Sequence, residues 1–286
     1  MMMKVLAANL EDVMREAAAR WTLIAYFFLS SIFILIFASA VNLDIVNGTL
    51  AGAKLFGHQA QMHGNTIDIE KLVLGFESTF STVLYGLCTF LAIFATAHLV
   101  PRLQEKGTID LYLARPVGRV QLLLSRYVAG LVLAGSNIAY LFGSIWLIVI
   151  WKTHVFHPRF FFAGAINLFT VATMLAFAFV VGVITSSTGV SIMSTYALFF
   201  MSPMLMALKR VSAAFSKEWH VWLTDTLYWI VPKSAQLGQA VFMYVAGGEL
   251  PQQVRTEVPA SMYLSTAGFA IACLALASWL FTKKEF

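Results

Sequence analysis

Charge is the scarcest commodity in this 286-residue chain: Asp, Glu, Lys and Arg make up 12% of it. Soluble domains average about 25% charged residues, so a soluble globular protein is excluded. Cysteine is almost absent. Cys88 and Cys273 both fall in apolar runs, so a disulfide framework or zinc knuckle is excluded and plain packing is the preferred reading. No Gly-x-x-x-x-Gly-Lys-[Ser/Thr] loop occurs, and the Gly-Lys pair is missing altogether. The chain therefore does not bind ATP by that motif. His-Glu-x-x-His and Gly-x-Ser-x-Gly are absent too, which removes the common zinc-protease and serine-hydrolase readings. Nothing in the sequence marks it as catalytic alone, and no cofactor or metal site is assigned.

What the chain does have is long apolar runs. Trp21–Val41, Thr79–Val100, Tyr127–Trp151, Phe160–Ile184, Val190–Leu208 and Met262–Phe281 contain no Asp, Glu, Lys or Arg. About 20 apolar helical residues span the ~30 Å hydrocarbon core of a bilayer. The expected fold is an all-α polytopic membrane protein with six transmembrane helices, forming one domain over residues 1–286. With those limits no carboxylate lies inside a span, so no intramembrane ion relay or aspartyl protease is expected.

Residues 1–20 are expected to form an interfacial helix. Leu6, Leu10, Val13, Met14 and Ala17 recur at helical spacing, with Glu11, Asp12, Arg15 and Glu16 opposite. No cleavable signal peptide is read there. The net charge of +5 suits a cytoplasmic membrane face better than nucleic acid. Lys4, Arg15, Arg20, Arg102, Lys106, Arg115, Arg119, Arg126, Lys283 and Lys284 fall on one side if both termini are cytoplasmic, and the positive-inside rule favours that topology. Lys209-Arg210 is its weak point.

Phe160–Leu208 is too long for one crossing, and Thr185–Gly189 (TSSTG) is its only polar break, so a tight turn is placed there. Pro203 should kink the span that follows. Residues 42–78 read as an outer loop with Asn47-Gly48, Gly57 and Gly64 as turn formers. Residues 209–261 read as a second outer segment. Trp219, Trp222, Leu223, Leu227, Tyr228 and Ile230 predict a short helix at headgroup depth, or dipping into the bundle, stopped by Pro232. Gly130, Ala134, Gly135 and Gly143 suit close helix packing.

Several histidines invite a sharper reading. His58, His63, His154, His157 and His220 fall on the outer side, with Met62 beside His63. Copper or zinc binding is one reading. The plainer and preferred one is loop histidine, because Pro158 argues against a regular helix and no thiolate or carboxylate completes a ligand set. His98 reads as a membrane-boundary residue before a proton relay.

The most distinctive stretch lies between the second and third spans, in residues 101–120. It runs Glu105-Lys106-Gly107-Thr108-Ile109-Asp110-Leu111-Tyr112-Leu113-Ala114-Arg115-Pro116-Val117-Gly118-Arg119. Gly107 allows a sharp turn and Thr108 a helix cap; Pro116 and Gly118 break the helix again. A short helix with a break on each side behaves as a stiff knob. Arginines at an inner boundary also occur as simple topology determinants.

Acidic-x-Gly-Thr, an apolar turn, then Arg-Pro-x-x-Arg resembles the cytoplasmic coupling segment of ATP-binding-cassette permeases of the ABC type-2 membrane family. Asn9–Arg20 is similar to that family's interfacial helix, and Leu227–Leu237 to its proline-containing outer segment. Val46–Gly57 is similar to an outer stretch of permeases linked to assembly of the nitrous oxide reductase copper centre. The resemblance implies a multi-pass permease in a bacterial cytoplasmic (inner) membrane. It implies a second permease copy as homodimer partner and a separate nucleotide-binding ATPase docked through Glu105, Gly107, Thr108, Asp110, Arg115, Pro116 and Arg119. Membrane lipid and a periplasmic accessory protein complete the expected partners; nucleic acid is not among them. The implied function is ATP-driven export of an unspecified cargo. An ion-coupled secondary transporter and a non-transporting scaffold or sensor stay open as alternatives.

Overall fold

The computed structural model describes residues 21–46, 49–55, 58–59, 69–105, 118–212, 218–247 and 259–284. The interfacial helix expected in residues 1–20 lies outside them. Helix α1 spans Trp21–Ala40, α2 Ile69–Thr96, α3 Leu99–Leu103, α4 Arg119–Thr153, α5 Pro158–Thr185, α6 Thr188–Ser212, α7 Glu218–Ile230, α8 Ser234–Ala246 and α9 Ala260–Lys283. Among the described residues, five helical stretches are long and apolar enough to cross a membrane: Val73–Leu103, Arg119–Thr153, Pro158–Thr185, Thr188–Lys209 and Ala260–Lys283. A shorter apolar stretch, Ile24–Ser39, lies in α1.

The α2–α3 break follows from Pro101. Proline has no N–H to donate to the carbonyl of residue 97, so the ladder is interrupted at Ala97-His98 and resumes with the Arg102 N–H on the His98 carbonyl at 3.2 Å. Helix α5 runs through the middle of the bundle. Its Asn167 is wholly buried and donates to the Tyr85 carbonyl at 3.1 Å, which joins α5 to α2. Small residues let the backbones approach: a Cβ on Gly130 would meet Leu99 and Leu175 at 2.9 and 3.0 Å, and one on Gly182 would meet Pro101 at 3.1 Å. Helix α1 is fastened to α4 by Ser30 Oγ donating to Asn137 Oδ1 (3.0 Å) and by Lys152 Nζ donating to the Ala38 carbonyl (2.6 Å). The latter places a cation at a helix C-terminus, where unpaired carbonyls favour it.

The tight turn expected at TSSTG is present, with only Ser186 and Ser187 between α5 and α6. Pro203 lies inside α6, which continues to Ser212. The expected helix before Pro232 is α7, ending at Ile230, with Trp222 and Trp229 exposed. Helix α8 instead enters the interior, burying Leu237, Val241 and Val245.

Two departures stand out. The 42–78 segment is not simply loop: β1 (Val41–Val46), β2 (Thr49–Leu55) and β3 (His58–Gln59) form an antiparallel sheet in that order. Val46 pairs with Thr49 across Asn47-Gly48, and a register shift falls between Asp44 and Ile45. Asn-Gly between strand-forming residues is a hairpin signal as well as a loop signal. The all-α expectation therefore holds for the apolar bundle and not for this segment. The second departure is α2, which begins ten residues before the Thr79 limit set from charge and so includes Glu77. The helix tolerates this carboxylate because it is turned inward, 1% exposed, instead of toward lipid.

Candidate functional site

Of the residues singled out for ATPase coupling, Gly107, Thr108, Asp110, Arg115 and Pro116 lie outside the described residues. Glu105 and Arg119, which flank them, are described. Glu105 is exposed, just after α3, and its N–H closes the last turn on the Arg102 carbonyl at 3.1 Å. Arg119 opens α4 after Gly118, whose extended backbone (φ −65°, ψ 142°) serves as the N-cap.

The two flanks meet at one place. Arg119 Nη1 donates to the carbonyls of Thr282 (3.1 Å) and Lys284 (2.9 Å) at the end of α9. On the other flank, Gln104 Nε2 donates to the Gly182 carbonyl (3.1 Å), and Gln104 Oε1 accepts from Ser186 Oγ (2.6 Å) and Lys284 Nζ (2.7 Å). Lys284 Nζ also donates to the Val183 carbonyl (2.7 Å) and Ser186 Oγ (2.8 Å). An ammonium has three protons, and these three acceptors match them. Two helix C-termini, those of α5 and α9, are thereby supplied with cations. Ser186 caps α5 in the left-handed conformation, φ 51°. Burial pulls the Lys284 ammonium below the ordinary lysine pKa.

Arg126, read as a cation displayed at this face, is instead only 3% exposed. It lies two turns into α4, where Leu122, Leu123 and Ser125 are buried with it. Arg119 stands out in the sequence as part of the Arg-Pro-x-x-Arg motif and Lys284 as an inner-face cation, whereas Gln104 and Ser186 carry no such mark. Only the TSSTG break pointed toward this cluster.

At the opposite end of α4 and α5, Glu77 Oε2 lies 3.3 Å from His157 Nδ1. This is the buried acid that the charge-based limits left out. His154 is exposed at the C-cap of α4 in the left-handed conformation (φ 57°), so it does not share a helical face with His157. Among the described residues no group of three His, Cys, Asp or Glu side chains converges on a metal-sized site. His98 is buried at the α2–α3 break. Cys88 is fully buried and Cys273 partly so, both as free thiols. Lys209 of α6 pairs with Asp225 of α7 at 2.8 Å, and Lys233 Nζ, just before α8, lies 4.4 Å from the centre of the Trp229 ring and 5.0 Å from that of Tyr228, both on α7.

Long apolar helices around a polar-stapled interior, with no assembled catalytic group among the described residues, define a multi-pass membrane protein. The chain matches the family of ABC-2 family transporter proteins over residues 3–286, and it belongs to that family. It is thus a membrane transport component, as the coupling motif suggested. No curated protein shows significant similarity to it.

Proposed function

We propose that the chain is the membrane-spanning subunit of an ATP-driven exporter, crossing a bacterial cytoplasmic membrane six times with both termini inside. Helix α1 provides the first crossing, and α2 with α3, α4, α5, α6 and α9 the other five. Residues 42–78 and 209–261, with α7 and α8, then belong to the outer side. Two copies form the pathway. A separate ATPase docks on residues 101–120, with Glu105, Gly107, Thr108, Asp110, Arg115, Pro116 and Arg119 as the contacting or shaping residues. ATP binding on that partner moves the segment and shifts the bundle between inward and outward openings. A periplasmic accessory protein is a further partner on the outer side.

The observation that carries this reading is family membership over nearly the whole chain. The convergence of Gln104 and Arg119 on the end of α9 supports it, because motion of the segment between them then has a route into the helices. Affinity purification from native membranes tests it: a Walker-motif ATPase should be recovered with the permease. Recovery of the permease alone, or labelling of residues 105–119 from outside intact cells, would overturn it.

The buried Glu77 gives specific weight to a second reading, an ion-coupled transporter, because an acid held away from lipid suits a proton pathway. Uptake driven by a proton gradient in vesicles lacking any ATPase would favour it.

A further inference from the structure

Everything that leaves the bundle between α3 and α4 must return to it, and both stems are tied to one three-residue stretch. Gln104 precedes residues 105–118 and Arg119 follows them. Gln104 accepts from the Lys284 ammonium, while Arg119 donates to the carbonyls of Thr282 and Lys284. The connection closes a ring: stem, end of α9, other stem. Ser186 and the Gly182 and Val183 carbonyls add the α5–α6 turn to it. An untied pair of stems would spread when pushed and absorb the displacement locally. Tied stems pass it on.

Resting on the proposed function, we propose that Gln104, Arg119, Ser186 and Lys284 form a transmission latch that makes the coupling segment, the end of α9 and the α5–α6 turn move as one body. Lys284 is the hub and a positioning residue; it need not touch the ATPase. Its three acceptors come from three separate parts of the chain: the α3 stem, the α5 terminus and the turn after it. Arg119 adds the fourth part, α4, by gripping the backbone of the same stretch instead of a side chain. That grip survives substitution at position 284 as long as the backbone stays in place. Replacing Lys284 should therefore sever α3 and the turn from α9 while leaving α4 attached.

The latch predicts a separation between docking and response. The wild-type permease would be purified with the ATPase it recovers, and an environment-sensitive fluorophore placed on Leu264→Cys, which is 75% exposed near the far end of α9, in a Cys273→Ala background. ATP with vanadate should change the signal. Lys284→Met should keep ATPase association within about twofold but lose at least about fivefold of the signal change. Lys284→Arg should restore at least half, and Ser186→Ala, which removes one of the three Lys284 acceptors and one donor to Gln104 but keeps the other two ties, should fall between. Size-exclusion profiles establish folding; if Lys284→Met fails to fold, Ser186→Ala carries the test. An unchanged response in the folded variant would overturn the latch, and so would parallel loss of docking and response. Absence of any ATPase from the wild-type preparation would instead overturn the proposed function on which the latch rests.

Discussion

Glu77 and His157 face each other at 3.3 Å across the junction of α2 with the turn before α5, the acid 1% exposed and the imidazole 18%. The two are unequal partners. His157 keeps an edge open to solvent, whereas the Glu77 carboxyl is enclosed and loses a polar neighbour if the imidazole is removed. Leaving a buried polar group without its partner costs about 1–3 kcal/mol.

His157→Ala is therefore expected to destabilise the protein more than Glu77→Gln does, and Glu77→Gln placed on His157→Ala should recover part of the loss. Thermal unfolding of the three variants in one detergent measures this. Equal, additive losses would mean the two side chains are not coupled.

Lys233 makes a pH-dependent contribution. It is 5% exposed, and burial, then the nearby Lys209, hold its ammonium below the ordinary lysine pKa. The native state thus releases this proton at lower pH than the unfolded chain. Between the two pKa values the unfolded state binds more protons, so stability rises with pH through that window. Wild type should gain stability relative to Lys233→Met as pH is raised toward the ordinary lysine range. Parallel stability curves for the two proteins would contradict the assignment.

Two glycines should respond oppositely to a methyl group. A Cβ on Gly238 would lie 3.0 Å from Tyr85 Cε1, and that ring is fixed because its hydroxyl donates to the Ser234 carbonyl at 2.6 Å. Gly238→Ala should cost about 1–3 kcal/mol. Gly268, in α9, has nothing within 4 Å of its added Cβ. Gly268→Ala should be neutral or gain about 0.5–1 kcal/mol, because glycine is the poorer helix former. Melting temperatures decide both.

The helical bundle was legible because lipid imposes a one-dimensional rule: a stretch without charge, long enough, is a span. That rule located the apolar runs, the TSSTG turn and the Pro232 stop. It misplaced the start of α2 for the same reason. Charge marks the membrane's edge only where it faces lipid, and Glu77 is an acidic residue hidden by the fold. The β1–β2 pairing is harder to read because Asn-Gly suits a loop as well as a hairpin turn. The stems around residues 105–118 divided along similar lines. Arg119 belongs to a local motif and so stands out in the sequence. Gln104, Ser186 and Lys284 are far apart in sequence, carry no spacing signal, and meet only through tertiary structure.

At the seam between α3 and α5, Gly182 faces Pro101 so closely that an added Cβ would lie 3.1 Å from the proline ring. Each is a poor helix residue alone. Together they turn two local weaknesses into a shared contact, so a substitution at either position is felt at the other. A side chain gained at 182 would wedge the seam apart, and a residue with an N–H at 101 would invite the interrupted helix to straighten across it.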